Sequence, residues 1–76
     1  MTRYGMFAEQ KQNSGSGYYD TFGIVISERG EAVGFVHDVC ADEEKLSDFI
    51  TLLNTEHLDP VHLDEAIENF LYDFEA

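Results

Sequence analysis

Residues 18–39, YYDTFGIVISERGEAVGFVHDV, decide the fold. Residues 18–28 are aromatic and β-branched, and residues 31–39 repeat that pattern. Between them Arg29-Gly30 offers a glycine able to adopt the positive φ of a tight hairpin turn. Two antiparallel strands follow from this. The loop between them holds two or three residues, and a one-residue slip would exchange the two faces of the third strand, so the register stays open at this stage.

Upstream, residues 3–9 (RYGMFAE) alternate loosely and predict a first strand. Residues 10–17 (QKQNSGSG) are rich in Asn, Ser and Gly and predict a flexible loop. The first 40 residues or so therefore read as a three-stranded meander.

Downstream the period changes from two to 3.6. Leu46, Phe49, Ile50 and Leu53 recur at i, i+3, i+4 and i+7, behind Asp42, Glu43 and Glu44, whose carboxylates suit a helix N-terminus. Asn54 is the expected stop. A second helix starts with Asp59 as N-cap and Pro60 at the first helical position, and Leu58 and Leu63 flank the cap as a hydrophobic staple. Its apolar stripe, Leu63, Ala66, Ile67, Phe70, Leu71 and Phe74, must be buried against something, and one face of the sheet is the available partner. The predicted architecture is β-β-β-α-α, an α+β fold in which a three-stranded antiparallel meander carries two C-terminal helices on one face. Residues 1–76 are expected to form a single domain.

Composition limits the function. The chain has 16 Asp and Glu against 4 Lys and Arg, a net charge of −12. Eleven of those acids and one base, Lys45, fall between Asp42 and Ala76. Such a surface repels nucleic acid and anionic membrane and attracts basic protein patches. Six Phe and four Tyr within a hydrophobic content of 43% are too many for a disordered acidic tail, so the charge decorates a folded domain. The single cysteine, Cys40, excludes an internal disulfide and fits a reducing compartment. No apolar run approaches the ~20 residues that span a bilayer, and Met1 to Gly5 begin no signal peptide. The expectation is a complete, soluble, cytoplasmic protein.

The segments YGMFAE (4–9), TFGIVISERGEAV (21–33), HDVCADEEKL (37–46) and LDPVHLDEAIENFL (58–71) resemble a family of small uncharacterised proteins from Gram-positive anaerobic bacteria and their prophages. The resemblance is most specific at Pro60-Val61-His62-Leu63 and Glu68-Asn69-Phe70-Leu71; Asp59 and Cys40 stand where Ser is common in the family. It implies a bacterial or prophage setting and supplies no activity.

The candidate chemistry is thin. His57, Asp59 and His62 bracket the second helix start, but the two histidines are five apart across a cap and a proline, which does not suit a structural zinc site with its four ligands. His62 is expected to pack its ring against the neighbouring loop, and His37 to lie half-buried on the sheet. Cys40 sits at a strand-to-helix junction that could lower a thiol pKa, but Asp38, Asp42, Glu43 and Glu44 surround it and disfavour a thiolate. No catalytic residue, cofactor or metal is expected.

The acidic helices are the better candidate site. Asp64, Glu65, Glu68, Tyr72 and Glu75 fall opposite the apolar stripe of the second helix, and Glu44, Asp48 and Thr51 on the outer side of the first. Asp64 with Glu68 and Glu65 with Glu68 are like-charge pairs at i, i+4 and i, i+3, each costing a few tenths of a kcal/mol. The expected function is non-enzymatic. Glu44, Asp48, Asp64, Glu65, Glu68, Tyr72 and Glu75 would bind a basic, nucleic-acid-binding protein and inhibit or regulate it, imitating nucleic-acid phosphates in the manner of phage anti-defence and anti-CRISPR inhibitors. The alternative is a small dimerising bacterial regulatory or accessory protein that binds through the uncovered sheet face, with Tyr4, Phe7, Tyr19 and Val25, and whose charge serves solubility.

Overall fold

The computed structural model describes residues 1–15 and 17–75, with the side chains of Asn13, Phe74 and Glu75 outside the description. Three strands, β1 (Thr2–Asn13), β2 (Gly17–Glu28) and β3 (Glu31–Cys40), precede helix α1 (Glu43–Thr55), a short 3-10 turn (Pro60–His62) and helix α2 (Leu63–Glu75). The sheet is an antiparallel meander in the order β1-β2-β3, and the fold is α+β.

The first hairpin is longer than its sequence suggests. Gln10 to Asn13 are not loop but continue β1, with Gln10 opposite Asp20, Lys11 opposite Tyr19 and Gln12 opposite Tyr18. The turn shrinks to the residues around Ser14-Gly15, where Gly15 takes φ 93°. Polar side chains tolerate this extension because both faces of the hairpin tip meet solvent. At the second hairpin Glu28 pairs with Glu31 across a two-residue loop. Arg29 (φ 55°) and Gly30 (φ 82°) are both left-handed, as a type I′ turn requires.

The register places Tyr4 opposite Ile26, Met6 opposite Ile24, and Val36 beside Ile24, all on the face that the helices cover. Ile24 and Leu46 are completely buried at the centre, joined by Ile50 and Leu53 of α1 and Leu63 and Ile67 of α2. Burying a Leu or Ile side chain contributes about 1.5–3 kcal/mol each, which is how so small a domain offsets its chain entropy.

Both helix starts are capped by aspartate. Asp42 Oδ1 accepts from Lys45 N at 3.1 Å, and Asp59 Oδ1 accepts from Val61 N at 3.0 Å. The turn that follows Asp59 and Pro60 is 3-10, and the α-helix begins at Leu63. Asn54 does not end α1. The helix runs to Thr55 and closes with His57 at φ 53°, while Leu58 N donates to Leu53 O and His57 N to Asn54 O, the paired bonds of a Schellman cap. Asn54 has another task. Its Oδ1 accepts from Tyr4 N at 2.8 Å and its Nδ2 donates to Tyr4 O at 2.9 Å, so the amide pairs with the outer edge of β1 as a neighbouring strand would.

Candidate functional site

Two surfaces stand out, one on each layer, and the charge divides between them. Residues 42–76 carry eleven acids and one Lys, a net −10; residues 1–41 carry five acids and three bases, a net −2.

On the helical layer, Glu44 and Asp48 of α1 and Asp64, Glu65, Glu68 and Tyr72 of α2 are all exposed, and Tyr72 keeps 76% of its surface. The Glu75 side chain lies outside the described residues. The carboxylates are accompanied by an apolar groove that sequence periodicity assigned to the core. Phe49 and Phe70 stack at 4.4 Å between centroids and 14° between planes, forming the floor between the helices. Leu52 and Ala66 continue it, and Lys45, Asp48, Asn69 and Asp73 form its rims, in an open groove of about 630 Å³. Leu52 is 54% exposed, so α1 presents more apolar surface than its buried Leu46, Ile50 and Leu53 stripe uses. A shallow hollow at the start of α1, between Ala41 and Asp48, is lined mainly by Asp42, Glu43, Glu44 and Ser47.

The second surface is the sheet face without helices. Tyr4 does not belong to it: it is 5% exposed on the opposite, helix-covered face, and its hydroxyl donates to Leu58 O at 2.7 Å. Burial, with Asp59 and Glu28 nearby, pushes its phenol pKa up. Phe7 and Val25 are half-buried on the open face and Tyr19 is exposed there. Phe7 crosses β2 over Gly23, where an added Cβ would collide with the Phe7 ring and with Val36 O. That passage lets Phe7 meet Phe35 edge-on at 5.7 Å and His37 edge-on at 5.4 Å on β3.

The same face holds a closed polar cluster. β3 carries two more residues than β2 between the pairs Phe22–Cys40 and Ile24–Val36, and Asp38 within this bulge takes φ 53°. Glu9, two strands away, fixes the bulge: Oε1 accepts from His37 Nδ1 at 2.8 Å and Oε2 from Asp38 N at 3.0 Å, while Lys11 Nζ lies 3.4 Å from Oε1. The His37 bond, with smaller contributions from Asp38 N–H and Lys11, holds the Glu9 carboxyl below its ordinary pKa against opposing desolvation. Asp38 in turn accepts from Thr21 Oγ1 at 2.7 Å and from Tyr19 OH at 3.3 Å. Desolvation and the Asp38 carboxylate raise the Tyr19 phenol. His37 is exposed rather than half-buried, and Thr21, 1% exposed, spends its hydroxyl on Asp38 and Cys40 O.

Glu9, Phe35 and Asp38 were not legible as site residues, because only the register of β3 and its bulge bring them beside Phe7. Of the other candidates, Cys40 is buried with Sγ accepting from Asp42 N at 3.3 Å, and His57 and His62 are exposed, so His62 does not pack as expected. Among the described residues no three His, Cys, Asp or Glu side chains gather to hold a metal ion, and no helix is long and apolar enough to cross a membrane. No family model, curated protein or solved structure matches the chain.

Proposed function

We propose that the chain is a non-enzymatic protein-binding module whose helical layer docks on a basic, nucleic-acid-binding protein and inhibits or regulates it. The observation that carries this reading is the pairing of charge with shape on one layer. Asp48 and Asp73, with Lys45 and Asn69, rim a seam floored by the Phe49–Phe70 stack, and the same two helices expose further carboxylates at Glu44, Asp64, Glu65 and Glu68. Charge alone would give long-range attraction and little specificity, since exposed pairs are screened within ~8 Å at physiological salt. An apolar seam adds a centre that a partner can desolvate, around which interface energy concentrates, with Asp48 and Asp73 on its polar rim. A partner's groove suited to phosphates meets the carboxylates as phosphate surrogates, and this chain and nucleic acid then exclude each other from it.

The test is affinity capture from bacterial lysate with wild type and with a variant carrying Asp48→Lys, Glu65→Lys and Glu68→Lys, eluted in rising salt and followed by a nucleic-acid binding assay on the captured protein. The reading expects a basic protein held by wild type only, released by moderate salt, and displaced from its nucleic acid when the chain is added. Retention that ignores both salt and the triple reversal would overturn it.

A further inference from the structure

We propose that the seam between α1 and α2 seats one amphipathic α-helix of the partner, apolar along one stripe and flanked by Lys or Arg. The inference rests on the reading of the helical layer as the docking surface and adds which element of the partner that layer takes. Two matching stripes build the seam. Residues 45, 48, 49 and 52 of α1 and residues 66, 69, 70 and 73 of α2 both follow the i, i+3, i+4, i+7 spacing of one helix flank. At ~1.5 Å per residue each stripe runs ~10 Å, two turns, with the half-buried Phe49 and Phe70 rings stacked at the middle. A third helix is the occupant this shape accepts. Two helix flanks have their backbone groups bonded internally, so an extended segment laid between them would bury its own N–H and C=O groups without partners. A helix arrives with its backbone satisfied, packs with axes about 8–10 Å apart, and presents apolar side chains at the same spacing over the same two turns.

Charge decides what flanks the apolar stripe of that helix. Residues four apart on a helix lie on one row, so Glu44 continues the row of Asp48, and Glu65 the row of Asn69 and Asp73. Carboxylates therefore border the apolar floor along both helices, in a layer whose net charge is −10 and whose one base is Lys45. A second copy's helices would bring the same sign to this border, and its sheet layer, at −2, would bring no attraction. A cationic helix is complementary to it. Ion pairs at such a solvated border set encounter and orientation, while the desolvated apolar stripe sets how slowly the helix leaves.

The probe is a monomeric, end-capped peptide of about 18 residues with Leu at i, i+3, i+4 and i+7 and Lys and Ala elsewhere. Its isomer has the same composition with the Leu residues scattered round the helix. Titrated into the full chain at about 0.15 M salt, the first peptide is expected to turn helical by circular dichroism and to bind at least about tenfold more tightly than the isomer. Amide shifts fall within residues 45–52 and 66–73 and leave the strands unmoved. Leu52 is 54% exposed, so Leu52→Gln keeps the fold by circular dichroism; it weakens the first peptide about five- to tenfold and barely affects the isomer. Asp48→Asn with Asp73→Asn, both at exposed positions, weakens both peptides and flattens their salt dependence. Equal affinity for the two peptides, shifts centred on the sheet, indifference to Leu52→Gln, or no binding of the first peptide up to about 1 mM overturns the inference. Where the peptides bind equally and the variant with Asp48→Lys, Glu65→Lys and Glu68→Lys loses both, the helical layer stands as the docking surface and only the seated helix falls.

Discussion

Replacing Asn54 by Ala removes an amide that ties the last turn of α1 to the edge of the sheet. Two half-buried hydrogen bonds go, Tyr4 N to Oδ1 at 2.8 Å and Nδ2 to Tyr4 O at 2.9 Å. Each contributes ~1 kcal/mol net, and the Tyr4 amide and carbonyl regain only part of their hydration at an edge closed by α1, so the expected loss is about 2–3 kcal/mol. A domain this small holds roughly 3–5 kcal/mol in total, so most of its margin disappears. With a urea dependence of ~1 kcal/mol per molar, the midpoint falls by roughly 2 M, read by circular dichroism at constant m. Asn54→Asp separates the two bonds. Its carboxylate still accepts from Tyr4 N but opposes Tyr4 O, so at neutral pH it is at least as unstable as Asn54→Ala. Below about pH 4 the protonated acid can donate again and the gap narrows. If Asn54→Ala lies within about 0.5 kcal/mol of wild type, the amide is not a tertiary clamp and the account of the β1 edge is wrong.

Other perturbations test the rest of the structure. Gly23→Ala drives a Cβ against Val36 O and the Phe7 ring and is expected to cost more than ~2 kcal/mol, whereas Gly5→Ala meets only Val25 Cγ1 at 3.1 Å and costs less than ~1 kcal/mol; thermal melts compare them. His57→Gly relieves the left-handed φ of 53° at the Schellman cap and raises the urea midpoint by the equivalent of ~0.5–1 kcal/mol. Glu9, with its pKa lowered on folding, contributes stability that is present above the ordinary carboxylate range and lost as pH falls through its folded value. Urea midpoints measured from about pH 6 to about pH 3 therefore fall less steeply for Glu9→Gln than for wild type, and equal slopes would remove Glu9 from the account of acid lability.

The helical layer was the most legible part of the molecule because its signals are local. A 3.6-residue period, Asp42 and Asp59 as caps, and Leu58 and Leu63 around Pro60 each act within a turn or two, so neighbouring residues suffice to read them. The ends were harder. Asparagine is a common helix terminator, yet here a contact 50 residues away uses the Asn54 amide, and the helix is closed instead by His57, whose left-handed backbone no local preference announced.

By itself the sequence determined the α+β class, the order of elements and the concentration of acid in residues 42–76, because period, caps and charge are properties of adjacent residues. Tertiary structure decided what depends on how distant strands are aligned. Pairing fixed a two-residue loop at Arg29-Gly30, carried β1 through Gln10 to Asn13, and turned Tyr4 beneath the helices. The β3 bulge gathered Glu9, His37 and Asp38 into one cluster. In a sheet a single-residue shift exchanges the two faces, so which residues share a surface is set by register and bulges, which composition and periodicity do not encode.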